Sequence, residues 1–260
     1  DHEWINKTIY QNAYVRTDSY FDNSPLASSG LPSKEELELL NVWKDEIPAE
    51  VFTETFTPPV TDGSGNDRKN LLKAKEILEK EGWFVKSGKL YKDGKEFKFE
   101  FLIVSPSDEK IALAYQSNLK KLGITMDVRT VDSSQYQERL LSYDFDMIKR
   151  YWGVSLSPGN EQQFYWGSEV GQKDGSRNYP GINSPAVDAL IEKLISATNR
   201  EELTTAIHAL DRVLLWGHYV VPLYHSNKDR IAYWDFFEYP DEIPLYGIVI
   251  ESWWVNKDKQ

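Results

Sequence analysis

Apolar positions change period several times along this chain, and each change marks an element. From Asp67 to Gly82 the spacing is helical: Leu71, Leu72, Ala74, Ile77 and Leu78 share a face, and Gly82 is placed to stop the helix. Leu90–Tyr91 and Phe97–Val104 then flank Asp93-Gly94, a two-residue hairpin signal. Phe97, Phe99, Phe101 and Ile103 alternate with charged residues before an all-apolar finish, as in a strand that runs into a buried sheet. Ser105 with Pro106 and Asp108 opens a second helix, whose face carries Ile111, Ala114, Tyr115, Leu119 and Leu122. Ile124–Val131 reads as a strand, Asp132 or Ser133 caps a short helix bearing Tyr136 and Leu140, and Phe145–Trp152 reads as a third strand.

This order, β-α-β-α-β, predicts parallel strands joined by right-handed crossovers. Ligands of open sheets of this kind sit beyond the carboxyl ends of the strands. Two such ends are Ser105-Pro106 and Lys149 to Ser155. Around this unit the pattern is less regular. Residues 1–68 hold five prolines and one helix-like stretch near Lys34 to Leu40. Ser184-Pro185 starts a helix with Val187, Leu190, Ile191, Leu194 and Ile195 inward. Thr198 with Glu201 reads as the capping box of the next helix, with Leu203, Ala206, Ile207, Leu210, Val213 and Leu214 inward and Gly217 at its end. Val220–His225 reads as a strand. The tail from Asp229 is aromatic and broken by prolines, and unless it is covered it presents a large apolar patch.

Composition narrows the function classes. A chain of 260 residues is long enough to bury a core without staples. A net charge of −11 argues against general nucleic-acid or anionic-membrane binding. No apolar run approaches a membrane span. The absence of cysteine excludes disulfides and cysteine nucleophiles. The chain opens at Asp1 with no signal peptide, so it is expected to be a processed form or a fragment. Nine Trp and fifteen Tyr fit large core residues or a cleft walled by aromatics.

Catalytic patterns are missing. There is no G-x-S-x-G elbow, no G-x-G-x-x-G and no Walker sequence. Gly63-Ser64-Gly65 lies in a polar loop with no strand before it. His2, His208, His218 and His225 have no paired spacing that suits a metal. Asp144 and Asp146 could serve as paired acids for glycoside hydrolysis, but they fall near the start of the third strand. The stretch that does concentrate chemistry is Lys149-Arg150-Tyr151-Trp152 and the Gly-, Ser- and Asn-rich loop after it, which includes Trp166. On a regular strand Lys149 and Arg150 face opposite ways. A cation there can pair with a ligand carboxylate or with an acid of the protein. Trp152 and Trp166 can stack on a ligand or pack in the core.

The order FDMIKRYW, loop, NYPGINSPAVDALI, paired helix and VVPLYH resembles the family 5 extracellular solute-binding proteins, the oligopeptide- and dipeptide-binding proteins of ABC importers. The stretch RTDSYFDNSPLASSGLP (Arg16 to Pro32) is most similar to the subgroup linked to oligopeptide and microcin C uptake. The resemblance covers essentially the whole chain. Members are about twice this length and close two lobes over a ligand, so the chain resembles their C-terminal portion. It implies an α/β fold, the C-terminal lobe of a type II (cluster C) periplasmic binding protein with a mixed sheet flanked by helices. Residues 1–68 would be an irregular segment packed on the lobe, 69–228 the lobe itself, and 229–260 a segment returning to a missing N-terminal lobe.

The resemblance also implies site residues. The family places a basic residue at Lys149 and a Trp at Trp152, and Arg150 lies between them. Three residues after that Trp it places an acid for the peptide's amine, where this chain has Ser155. That departure implies a blocked or unusual ligand N terminus, or an amine partner elsewhere, with Glu161 a candidate. Asn178 and Tyr179 match the loop before the Pro-started helix, where they shape the pocket or brace the loop. Implied partners are an oligopeptide, the permease subunits of an importer and the missing lobe. The implied protein is a periplasmic monomer with no cofactor, no nucleic-acid partner and no catalytic role.

Overall fold

Three separate packing centres organise the chain, two of them on opposite faces of a small parallel sheet. The computed structural model describes residues 1–259. The first helix, α1 (His2–Thr8), is capped by Asp1, whose carboxylate accepts from the Trp4 amide at 2.9 Å. A two-residue strand, β1 (Val15–Arg16), and two short helices, α2 (Lys34–Leu40) and α3 (Glu50–Thr53), complete a mostly irregular stretch. That stretch is not loose. Phe21, Leu26, Leu40, Ile47 and Val51 are buried in one cluster with the two long helices near the end of the chain.

Helix α4 (Arg68–Lys80) forms where its period and Asp67 cap place it. Its apolar face, however, is only partly covered: Leu78 packs against the core around Leu119 and Met126, but no residue of α4 is fully buried, and Leu72 and Ile77 are exposed. Periodicity shows that a face exists, whereas burial needs an element opposite it. An antiparallel ribbon follows, β2 (Phe84–Lys86), β3 (Lys89–Lys92) and β4 (Lys95–Glu96). Both turns, Ser87-Gly88 and Asp93-Gly94, have positive φ at both central residues, as a tight hairpin of this hand requires. The Asp93-Gly94 hairpin is confirmed, but its second strand is β4. The chain then leaves the ribbon to enter a different sheet.

That sheet contains β5 (Lys98–Ile103), then, after α5 (Pro106–Lys121), β6 (Thr125–Thr130), and, after α6 (Ser133–Leu141), β7 (Met147–Ile148). The order is β6-β5-β7 and every pairing is parallel. Alternation along β5 divides its side chains between two cores. Phe101 and Ile103 pack with Ala112, Leu119, Ile124 and Met126, and Leu102 packs with Val131, Tyr136 and Leu140. One crossover helix therefore covers each face, as a parallel sheet requires. The third strand is shorter than the expected Phe145–Trp152. Only Met147 and Ile148 pair with β5, so Lys149 and Arg150 lie beyond the ladder in irregular backbone, and the rule that they face opposite ways does not govern them.

Helix α7 (Glu161–Trp166) leads to α8 (Pro185–Ile195) and α9 (Arg200–Trp216), which pack on each other. Ser184 caps α8 as expected, but Ile195 points out. The cap of α9 is Asn199, not Thr198. Asn199 Oδ1 accepts from the Glu202 amide at 3.0 Å, and the Glu202 carboxylate accepts from the Thr198 amide at 2.9 Å. Two overlapping capping boxes compete in this sequence, and the one with Asn at its head wins. The expected strand Val220–His225 shrinks to β8 (Tyr224–His225), which pairs antiparallel with β1. The tail closes with β9 (Phe237–Glu238) and β10 (Trp254–Val255), paired with each other. It keeps Leu245 83%, Tyr246 75% and Trp234 73% exposed.

Two consecutive residues of α9 tie residues 19–36 down. The buried Asp211 carboxylate accepts from Ser19 Oγ at 2.7 Å, Ser28 Oγ at 2.6 Å, the Ser28 amide at 3.0 Å and the Tyr20 amide at 2.8 Å. Burial pushes this carboxyl up, and its donors hold it down in part. Arg212 Nε donates to Glu36 at 2.6 Å, and its Nη atoms donate to the carbonyls of Gly30 at 2.7 Å and Ser29 at 2.8 Å.

Candidate ligand-binding site

Beyond the carboxyl ends of β5 and β7 the chain gathers charged and aromatic side chains from six segments. Ser105 caps α5 and so brings Asp108 into its first turn. Lys149, just past β7, donates to Asp108 Oδ1 at 2.5 Å. This ammonium lies 5.6 Å from the centre of the Tyr224 ring. Tyr224 on β8 shares a 2.7 Å hydrogen bond with Tyr10, and its ring lies 4.6 Å from that of Tyr14. Burial raises the phenols of Tyr10 and Tyr224, so both stay neutral at physiological pH. Lys149 is therefore partnered within the protein. A ligand carboxylate reaches it only by sharing with Asp108.

Arg150 turns to a different neighbour. Its guanidinium carbon lies 5.0 Å from the centre of the Tyr179 ring, and Nη2 donates to Tyr179 Oη at 3.4 Å. Tyr136 is close enough to feel the charge: burial raises its phenol, and Arg150 opposes that shift. Tyr136 Oη also donates to the Lys149 carbonyl at 3.3 Å, which fixes the backbone just past β7. Trp152 also borders this group. Its ring centre is 6.4 Å from that of Tyr179 and 4.9 Å from that of Trp166. Tyr179 thus links Arg150 and Trp152 in one cluster. Arg150 Nε and Trp152 Nε1 are both buried without a hydrogen-bond partner among the described residues.

The remaining expected positions separate from this cluster. Asn178 is completely buried and fully used. Its Nδ2 donates to the carbonyls of Gly167 at 3.0 Å and Ile182 at 2.8 Å, and its Oδ1 accepts from the Ile182 amide at 2.8 Å. Asn178 is therefore a loop brace and not a ligand contact, because no polar group is left over and no surface is open. Ser155 is exposed and accepts from the Ser157 amide at 3.2 Å. Glu161 accepts from the Gly159 amide at 2.9 Å and so holds its own loop. Trp166 is a core residue whose Nε1 donates to Gln162 at 3.0 Å.

The two aspartates considered as paired acids are also engaged. Asp144 accepts from Arg139 Nε at 2.8 Å, and Asp146 accepts from the Glu100 amide at 2.8 Å. Glu100 lies in the first half of β5, away from the carboxyl edge. His208 and His225 are paired with Glu36 and Asp22, at 3.7 Å and 3.5 Å. Asp108, Tyr10, Tyr14 and Tyr224 belong to the site and carried no mark in the sequence beyond residue type. Asp108 reads there only as a capping residue, and the tyrosines lie in segments that look irregular.

Comparison with known proteins places this geometry. Residues 1–174 match the family model for bacterial extracellular solute-binding proteins, family 5 Middle. The chain is 49% identical over 257 residues to the uncharacterized protein y4wM of Sinorhizobium fredii, covering 98% of this chain and 39% of that one. It is 42% identical over 260 residues to the probable peptide-binding protein YejA of Agrobacterium fabrum, covering 99% and 42%. The oligopeptide-binding protein AppA of Bacillus subtilis, solved with a nonapeptide, superposes with a TM-score of 0.66 at 21% identity, covering 99% of this chain and 45% of that one. That likeness shows the fold, which is the expected α/β fold of a type II periplasmic binding protein. The chain spans about two-fifths of the length of the curated relatives it matches. The chain belongs to the bacterial extracellular solute-binding proteins of family 5.

Proposed function

We propose that this chain supplies one wall of the ligand cleft in the solute-binding component of an ABC importer. In this reading the whole protein takes up oligopeptides in the periplasm, as a monomer without a cofactor, and delivers them to the permease. The observation that carries it is the Arg150–Tyr179–Trp152 cluster, which holds buried, unpartnered donors beyond the carboxyl ends of parallel strands. The name of the Agrobacterium relative, a probable peptide-binding protein, supports the peptide part. The likeness of Arg16 to Pro32 to the subgroup linked to microcin C uptake extends it to peptide-antibiotic-like ligands.

The mechanism is non-covalent. The wall built here faces a second lobe, and ligand favours the closed arrangement because it contacts both sides at once. The exposed apolar tail suits a segment that packs against that lobe. Holding rather than transforming the ligand fits the aspartates: Asp144 pairs with Arg139 and Asp146 accepts from the Glu100 amide, away from the carboxyl edge of the sheet.

Native mass spectrometry of the full-length protein purified from its own cells tests the reading. Co-purified peptides, released intact on unfolding, are the expected result. Protein that arrives empty and gains no thermal stability from a peptide mixture would refute it, as would cleavage of those peptides.

A further inference from the structure

Charge is unevenly spread along the chain. Residues 68–98 hold ten of its 30 Lys and Arg side chains but only five of its 41 Asp and Glu. A surplus of five positive charges thus sits within a protein of net charge −11. These residues form α4, the β2–β3–β4 ribbon and the entry to β5. Lys75, Lys89 and Lys98 pair with acids, and the other seven cations take part in no ion pair among the described residues. The arrangement concentrates the charge. Lys86 lies opposite Lys89 and Lys92 opposite Lys95, and like charges directly opposite destabilise a ladder. On α4, Lys69 and Lys73 stand one turn apart, which is unfavourable for the same reason. Lys69, Lys73, Lys86 and Lys95 are all exposed, so packing does not call for them. Apolar side chains stand among them. Arg68, Lys69, Leu72, Lys73 and Glu76 line one open groove on α4, with Leu72 51% exposed. On the ribbon, Phe84 and Lys86 share the face opposite buried Leu90, and Phe84 is 59% exposed.

We infer that α4 and the ribbon dock on an anionic phospholipid surface, with the lysine ammonium groups over the headgroups and Phe84 set among them. Residue type favours lipid over an acidic protein. Nine of the ten cations are lysine. Lysine is depleted in protein–protein interfaces, where arginine is enriched. A field of headgroups needs many point charges and no fixed partner geometry, which suits flexible ammonium groups. Exposed apolar side chains between cations are the mark of a surface that settles at the headgroup level. The acidic remainder of the chain does not cancel the attraction, because charges more than about 8 Å from the membrane are screened at physiological salt. The ribbon meets the sheet at its amino edge: β4 runs into the start of β5, and the Leu90 amide donates to the Gly123 carbonyl, just before β6, at 2.8 Å. Docking there leaves the carboxyl edge open, whatever ligand it holds.

The experiment is cosedimentation of the full-length protein with vesicles of phosphatidylcholine alone or with about 30 mol% phosphatidylglycerol, at about 0.1 M and about 0.5 M NaCl. Binding to the phosphatidylglycerol vesicles at the lower salt is expected, with at least tenfold less binding to phosphatidylcholine and at least tenfold less at the higher salt. The variant Lys69→Gln/Lys73→Gln/Lys86→Gln should bind at least tenfold more weakly, since each cation near such a surface contributes about fivefold. Phe84→Ser should bind about threefold more weakly, as one aromatic side chain is lost from the headgroup level. No binding to phosphatidylglycerol vesicles overturns the inference. Equal binding to both vesicles also overturns it, because the apolar tail would then be the adhesive surface. Undiminished binding in either variant places the contact elsewhere and overturns it too, and sedimentation without vesicles would mean that the basic face meets a second copy of the chain instead. If the lysine variant does not fold, judged by circular dichroism, the salt and lipid dependence of the native protein decides. Peptide co-purification should be unchanged in both variants, so failure here is distinct from failure of the solute-binding reading.

Discussion

Replacing Asp211 by Asn tests how the stretch from Ser19 to Ser28 is held against α9. The substitution keeps shape and removes one acceptor. In the native protein Oδ2 accepts three hydrogen bonds and Oδ1 accepts one, from the Tyr20 amide. The new carbonyl therefore settles at the Oδ2 position, and the new NH2 group faces the Tyr20 N–H. Serine hydroxyls can rotate away from a poor partner, but a backbone amide cannot. One buried amide is left unpaired, which costs about 1–3 kcal/mol, and the remaining bonds weaken as the charge is lost. The sum is about 2–4 kcal/mol for Asp211→Asn and about 3–5 kcal/mol for Asp211→Ala, which orphans the Ser28 amide too. Part of this loss is offset because a buried carboxylate, whose pKa burial raises, is no longer desolvated. Native-state hydrogen exchange on the full-length protein reads the effect locally, so it does not rely on a two-state melt of a multilobed protein. The Tyr20 amide should exchange up to about 30–700 times faster in Asp211→Asn, following the 1.4 kcal/mol per tenfold conversion. Unchanged exchange at Tyr20, with stability within about 0.5 kcal/mol of the parent, would show that the clip contributes nothing and refute the reasoning.

Three further outcomes are expected. Asn178→Ala removes three buried hydrogen bonds and should destabilise the Gly167–Ile182 loop by about 2–4 kcal/mol, seen as faster exchange of the Ile182 amide; a neutral variant would contradict the brace role. The Lys149–Asp108 pair should show coupling in a double-mutant cycle of Lys149→Met with Asp108→Leu: each single change destabilises by about 1–3 kcal/mol and the double change by less than their sum, whereas additive losses would mean the contact is idle. His208 is raised above its ordinary pKa by its hydrogen bond with Glu36, against the effect of burial. A folded pKa above the unfolded one means this contribution is complete below about pH 6.5 and fades as pH rises through the folded value. Urea midpoints measured at about pH 6 and about pH 8 should therefore differ more in the parent than in His208→Gln, and parallel shifts would remove His208 from the account.

Local signals carried well from sequence to structure. Ser105-Pro106, Asp132 and Ser184-Pro185 start helices as read, because a cap and its amides lie within three residues of each other. Asp93-Gly94 makes its turn because only those backbone angles close so tight a hairpin. The parallel β6-β5-β7 order follows from alternating strands and helices, and it locates the ligand edge without any view of side chains.

What lay beyond the sequence were pairings between residues far apart along the chain. Lys149 and Arg150 are neighbouring cations of similar promise in the sequence, yet one meets Asp108, 41 positions away, and the other pairs with no acid among the described residues. Asn178 matches a pocket position in the sequence, yet three hydrogen bonds to Gly167 and Ile182 enclose it. Asp211 gave no sign of the serines 192 and 183 positions away that hold it. The face of α4 was legible as apolar, but which part of it is covered was not: Leu78 packs while Leu72 and Ile77 stay exposed, because burial depends on what packs opposite. The sequence alone determined most of the elements, their order and the edge at which the proposed cleft lies, since caps, turns and periods act over a few residues. Which charge on that edge remains unpaired was decided only by the tertiary structure, because electrostatic balance is set by distance in space and not along the chain.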